Sequence, residues 1–350
     1  MLDVRSREEF DAWRVEALEA KVINLPEDEV DPSNGVIGEI DADETINVIC
    51  AAGNASGRVA ERLIAAGRDA VNVRGGMIAW SRLLIDDEIE VEGPFTVIQF
   101  RRESRGCLSY MVECGGEALV VDPSPDPAPY AAEADRRGWK IVAIFDTHVH
   151  ADHVSGAGRL AEATEGRILM PKPAIERGLD RPEVELVADG DTIGLGGEEV
   201  EVVALPGHTT EMTGLAVGGA LICGDSLFAE SIARPDLQHS DPEAARAAAN
   251  DLYLTLSSRI LSKGDETKIL PGHYPGGRRD GAVAPTLAEV KESVRELALG
   301  AEPFADWIVG DLPDKPANFD TIIGINLGTE RVAEDDVGRL ETGGNSCAAR

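Results

Sequence analysis

The chain has 350 residues, a length that at roughly 100–200 residues per domain points to two domains. Apolar residues make up 43% and charged residues 28%, which excludes collagen-like, mucin-like and wholly disordered classes. The net charge is −31, from 64 acids against 33 bases, and the excess is spread over the whole chain. It fits an acidic surface adapted to high salt, and it excludes nucleic acid as a partner, because no basic stripe exists to displace counterions.

In chain order, LDV (Leu2–Val4) is a strand stub and REEFDAWRVEALEA has helical spacing. VINLP and TINVIC (Thr45–Cys50) are strands, and a loop of small residues, AAGNAS, follows Cys50. GRVAERLIAAG (Gly57–Gly67) has a helical period with a glycine stop, AVNV is a strand, and RGGMIAW turns into a helix. Strands alternating with helices imply a parallel sheet. The acidic stretch DDEIEVEGP (Asp86–Pro94) reads as a linker, dividing a domain over 1–93 from one over 94–350.

Beyond it the pattern changes. FTVIQFRR, CLSYMVEC and ALVVD are short strands with turns between them, and a helix is expected over Pro129–Gly138. The strand KIVAIFD (Lys140–Asp146) runs into THVHADHVSGAG, after which a helix begins near Gly156. EVEVVALPGH, GLAV, ALICGD and KILPGHY are strands, while Pro242–Ser262 and Pro285–Leu299 are helical. Early and late strands with helices outside predict an α/β sandwich of two sheets flanked by helices.

Five of the six histidines fall in three short motifs. His148, His150, Asp152 and His153 lie within six residues, directly after a buried strand, where a loop can turn several ligands to one place. Imidazole and carboxylate suit Zn, Fe or Mn. His208, Asp225 and His273 each follow an apolar strand through a Gly-containing turn. Cys50 ends a buried strand and faces a loop entering a helix, a place where backbone N–H groups and the helix N-terminus stabilise a thiolate. Cys107, Cys114 and Cys223 sit in apolar strands as core residues, Cys347 lies in a polar tail read as loosely structured, and His239 reads as a surface residue. Scattered cysteines and an opening segment without a cationic start or apolar run predict a reducing, cytoplasmic setting and no membrane association.

HVHADH, then GH, GD and GH in that order, resembles the metallo-β-lactamase superfamily over roughly Phe95–Pro303. The resemblance implies an αββα sandwich with metal at the shared edge of its sheets. It places His148, His150 and His208 at one site and Asp152, His153 and His273 at another, with Asp225 between them. Relatives resembling glyoxalase II use two Zn(II) to hydrolyse a thioester such as S-lactoylglutathione. Relatives resembling persulfide dioxygenases hold one Fe(II), here implied at His148, His208 and Asp225, with His150, Asp152, His153 and His273 orienting those ligands. The stretch from Ser226 to Leu237, with its Arg-Pro-Asp-Leu, and KPANFDTIIGINLG (Lys315–Gly328) resemble segments of the latter group.

That resemblance implies oxidation of a low-molecular-weight thiol persulfide by O₂ to sulfite and thiol. Asp152 and Tyr274 are candidates for catalytic positions beside the metal. Arg234 is a candidate to fork a substrate carboxylate, its alternative being an ion pair with Asp236. LDVRSREEF, CAAGNASGRVAERLIAAG and VNVRGGMIAW resemble a rhodanese domain, which implies that Cys50 carries sulfane sulfur to or from sulfite and thiosulfate. The pattern departs from that family at its start, at the turn around Ala17–Ala20, and at Ala51 and Ala55, where many relatives carry Arg. Whether copies of the chain associate is left open.

Overall fold

The computed structural model describes residues 1–15, 21–31, 37, 40–41, 43–238, 241–275, 280–310, 312, 315, 318–341 and 347–348. His239 and the turn around Ala17–Ala20 therefore lie outside the described residues. No described helix is long and apolar enough to cross a membrane.

The first unit is a parallel four-stranded sheet of β1 (Leu2–Asp3), β2 (Ile23–Asn24), β3 (Ile46–Ile49) and β4 (Ala70–Asn72), in the order β2-β1-β3-β4. α1 (Arg7–Ala12) is shorter than the sequence period suggests. The buried Arg5 pairs with Asp3 at 2.6 Å and donates to the carbonyls of Glu9 and Trp13, so a side chain takes the place of the next helical turn. α2 (Asn54–Ala65) packs Val59, Ala60 and Leu63 against Leu2, Val48 and Ile46, and α3 (Gly76–Trp80) follows β4.

The stretch read as a linker begins within a strand, which takes in Asp86–Ile89, and residues 90–95 connect that strand to the next. β5 (Leu84–Ile89) pairs antiparallel with β6 (Thr96–Arg102) over its whole length and forms the edge of the second sheet. Asp86 and Glu88 are exposed and Asp87 pairs with the buried Arg101, which is why it reads as polar sequence. β7 (Cys107–Cys114), β8 (Glu117–Val121), β9 (Lys140–Phe145), β10 (Arg167–Pro171) and β11 (Val184–Val187) complete this seven-stranded sheet, in the order β11-β10-β9-β8-β7-β6-β5. The third sheet is β12 (Thr192–Leu195), β13 (Glu198–Ala204), β14 (Thr213–Val217), β15 (Ala220–Gly224) and β16 (Lys268–Pro271), paired in sequence order.

Alternate residues of the two larger sheets meet in one core. Val112, Leu119, Val121 and Phe145 face Val200, Val202, Leu215 and Ile222, all fully buried. The outer face of the seven-stranded sheet is covered by α4 (Ala128–Arg137) and α5 (Ala157–Thr164), through Tyr130, Ala134 and Leu160. The outer face of the five-stranded sheet is covered by α6 (Pro242–Thr255), α7 (Leu287–Ser293) and α8 (Ala301–Gly310), through Leu252, Val290 and Phe304. The predicted αββα layering is thus present. α9 (Phe319–Leu327) and α10 (Glu334–Leu340) close the fold near the loop after β9, where Val154 packs on Ile322 and Val337.

Phe145 anchors the strand that delivers the histidine motif. Phe145→Ala is expected to lower unfolding stability by about 3–5 kcal/mol, through lost burial and the cavity left behind. Denaturant titration of the folded chain checks this; a loss below ~1 kcal/mol would mean that the strand end is not packed as described.

Candidate metal centre and sulfur-carrying cysteine

The loop after β9 begins where the buried carboxylate of Asp122, at the end of β8, accepts from the N–H and the hydroxyl of Thr147 at 2.7 and 2.8 Å. With its proton on Asp122, the Thr147 hydroxyl accepts from His148 Nδ1 at 2.9 Å. This fixes the His148 tautomer and leaves a lone pair on Nε2. His208 reaches the same state by another route: its Nδ1 donates to the carbonyl of Arg234 at 2.7 Å. Both Nε2 atoms face Asp225 Oδ2, from 3.9 Å for His148 and 3.6 Å for His208. Asp225 Oδ2 itself is buried without a hydrogen-bond partner.

Two imidazole lone pairs and a bare carboxylate oxygen turned toward one another repel unless a cation lies between them. Burial holds both imidazoles below their ordinary pKa, with His150 adding to the effect at His148, so both stay neutral as ligands must be. His148, His208 and Asp225 offer atoms within 4.8 Å of one another, so the donor set fits a divalent metal of two-His-one-carboxylate chemistry.

The remaining motif residues are arranged differently. His273 donates from Nδ1 to Asp225 Oδ1 at 2.7 Å and from Nε2 to Asp152 Oδ2 at 3.0 Å. Burial lowers its pKa, but the charges of Asp225 and Asp152 outweigh this and hold it well above the ordinary imidazole value. Both of its ring nitrogens are thus engaged by carboxylates. Asp152 also bonds His153 Nδ1 at 3.2 Å and accepts from the Cys107 thiol at 3.5 Å. Cys107, Asp152, His153 and His273 thus form a second buried cluster whose groups bond to one another.

The His150 ring lies 4.2 Å from that of His148, centroid to centroid, with Nε2 turned to another partner. Its Nε2 lies 3.1 Å from Asp122 Oδ1, its Nδ1 is buried without a partner, and it groups with Asp122 and Asp146. Burial pushes its pKa down, yet Asp122, Asp146 and Asp152 carry it up to about 9.

Both Pro-Gly-His turns depend on their glycine. A Cβ on Gly207 (φ +142°) would lie 2.4 Å from the Leu252 Cα, and one on Gly272 would lie 2.4 Å from Asp225 Oδ1. Each histidine is therefore set by a close backbone approach that no larger residue permits.

The Arg234 guanidinium forks Asp236 at 2.7 and 2.9 Å, the ion pair that was its alternative, and its main chain serves His208. Tyr274 is buried in the sandwich core, its hydroxyl 3.4 Å from Glu103.

Several supporting groups were not among the candidate site residues, although Asn326 lies within the Lys315–Gly328 segment. Asn326 donates to the carbonyls of His150 and His153 at 2.9 Å each and accepts from the Ser155 N–H. Glu341 accepts from the Val154 N–H at 2.7 Å. Cys347, expected in a loose tail, is buried against Phe228 and Ala233, and it groups with Asp225 and His273. Neighbouring Ala348 bridges Ala233.

Cys50 stands at the carboxyl end of β3, ahead of α2. Gly53 N–H and the Ser56 hydroxyl approach its sulfur at 3.1 and 3.2 Å. Burial raises the thiol pKa, but these donors, with the N–H groups of Ser56 and Ala52, bring it below the ordinary thiol value. Nearby Arg58 is forked on Glu27 at 2.8 Å, so the loop stabilises the anion mainly with neutral donors. Alkylation of Cys50 by iodoacetamide is expected to rise with pH about a midpoint below that of a free thiol. Ser56→Ala should shift that midpoint upward; an unmoved midpoint would remove the hydroxyl from the cradle.

Residues 103–273 match the model of the metallo-β-lactamase superfamily and residues 1–83 that of the rhodanese-like domain. A hydroxyacylglutathione hydrolase of Nitrosococcus oceani is 35% identical over 174 residues, which is 47% of this chain and 61% of that protein. The chain thus spans under two thirds of that relative. The mitochondrial persulfide dioxygenase ETHE1 of Homo sapiens is 28% identical over 277 residues, 77% of this chain and 96% of that protein. Among solved structures, a metallo-β-lactamase from Staphylococcus aureus superposes with a TM-score of 0.63 at 27% identity, covering 69% of this chain and 75% of that one. The chain therefore joins a rhodanese-like domain to a domain of the metallo-β-lactamase superfamily.

Proposed function

We propose that the chain is an iron-dependent persulfide dioxygenase whose Cys50 carries sulfane sulfur, the two functions dividing near residue 83, ahead of β5. The observation that supports one metal over two is His273. Both of its nitrogens are engaged by carboxylates, whereas His148, His208 and Asp225 turn unengaged ligand atoms toward one another. The extent of the likeness to the human persulfide dioxygenase, 77% of this chain, supports the same reading.

When bound, Fe(II) supplies the redox chemistry by which O₂ oxidises the terminal sulfur of a thiol persulfide. In balance, one persulfide, one O₂ and one water give one thiol, one sulfite and two protons; the S–S bond breaks and the electrons pass to O₂. The chain's own groups prepare the site. Thr147 and the Arg234 carbonyl fix two imidazoles as neutral donors. His273 holds Asp225 by one oxygen and leaves the other bare. Asp225 and Asp152 together raise the basicity of His273. Burial of the whole set excludes bulk water. Cys50, held by neutral donors, exchanges sulfane sulfur with thiosulfate or a thiol.

The higher identity of the hydrolase relative, 35%, favours a second reading, two-zinc hydrolysis of a glutathione thioester. Anaerobically iron-loaded protein is expected to consume O₂ with glutathione persulfide and to release sulfite. Absence of uptake, with rapid S-lactoylglutathione cleavage by a two-zinc form, would reverse the choice.

A further inference from the structure

At the seam between the rhodanese-like unit and the sandwich lies a cavity of about 240 Å³. It offers about eight times the ~30 Å³ share of one water, room for a small polyatomic ion. Three guanidiniums line it: Arg82 just past α3, Arg102 at the end of β6, and Arg159 on α5. In a chain with a net charge of −31, such a convergence of cations runs against the bulk composition.

The two carboxylates in the wall are already used. Glu341 accepts from Arg102 Nη2 through one oxygen, at 2.7 Å, and from the Val154 N–H through the other, also at 2.7 Å. Asp126 accepts from the first N–H of α4, that of Ala128, at 3.0 Å. The donors are not all used. Arg102 is 1% exposed, and its Nη1 is buried with no hydrogen-bond partner. Arg82 makes no ion pair with any described residue. The amino end of the ten-residue helix α4 opens on the same space through Pro127, and it adds partial positive charge.

We propose that this cavity binds a small, doubly charged inorganic oxyanion, held by Arg82, Arg102 and Arg159 at the amino end of α4. Guanidinium forks match the paired oxygens of such ions, and a buried Nη1 is satisfied by one of them. Sulfate, sulfite, thiosulfate and phosphate share this chemistry. The site stands independently of the reaction assigned to the metal centre. It is nevertheless tied to the ligand loop, because Glu341 holds Val154 and Arg105 donates to the main-chain carbonyls of both Glu341 and Asp152.

The test is calorimetric titration of the full chain with sodium sulfate, sulfite and phosphate at constant ionic strength set by sodium chloride. Thiosulfate is titrated into Cys50→Ser protein, so that covalent transfer to the cysteine does not register. Saturable binding with a stoichiometry of one, weakened at least tenfold by both Arg82→Ala and Arg159→Ala, supports the site. A preference for the sulfur oxyanions over phosphate assigns it to sulfur chemistry, and equal binding of phosphate assigns it to dianions in general. Heats indistinguishable from chloride, or affinity unchanged in both variants, overturn it. Unfolding temperatures of the two variants without added oxyanion verify that they fold.

Discussion

Replacing His208 by alanine is expected to lower metal affinity by more than about a hundredfold, the upper range for losing a mere orienting partner, and to abolish persulfide-dependent O₂ uptake. The argument is geometric. His208 Nε2 is one of the three ligand atoms that His148, His208 and Asp225 turn toward one another, and the carbonyl of Arg234 forbids the ring its other tautomer. Without it, His148 and Asp225 alone face the site. Rhodanese turnover should survive, because Cys50 is cradled by residues of its own loop and helix. Metal analysis after anaerobic dialysis, with both assays on the same sample, checks the result. Full retention of iron in the variant would mean that the metal lies elsewhere.

The converse substitution, Cys50→Ser, is expected to eliminate thiosulfate-to-cyanide sulfur transfer while O₂ uptake with an added persulfide stays within about twofold. Serine keeps the size of the side chain and can accept from Gly53 and Ser56, but its oxygen cannot hold a sulfane sulfur. The variant therefore removes chemistry and leaves packing. Surviving sulfur transfer would make Cys50 an ordinary core thiol, and simultaneous loss of O₂ uptake would couple the two centres in one obligatory sequence.

How much of this was legible beforehand depended on whether the signal was local. The strand ending at Phe145 and the ligands after it are consecutive in sequence, so an apolar run followed by four ligand letters could be read directly. The order His208, Asp225, His273 was likewise legible, because each follows its own strand. β5 was not, since an edge strand in a highly acidic chain exposes Asp86 and Glu88, pairs Asp87 with the buried Arg101, and so looks like a linker. The partners of the ligand loop were hidden for another reason. Asn326 lies 176 residues from His150, and Glu341 lies 187 from Val154; no local period encodes such pairs. Cys347 was misread because polar neighbours in sequence say nothing of the apolar pocket it enters. For His273, residue type alone allowed ligand or donor, and the two carboxylates flanking it come together only in the fold.

The dependence of the ligand loop on Asn326 and Glu341 also sets an order of events during synthesis. The histidine motif leaves the ribosome long before either clamp does, so the loop emerges with its backbone carbonyls and amides unmet. Iron delivered to a nascent polypeptide would encounter ligands not yet held in place. A carboxyl-terminal truncation that removes both clamps is accordingly expected to weaken metal binding even though every candidate ligand is present.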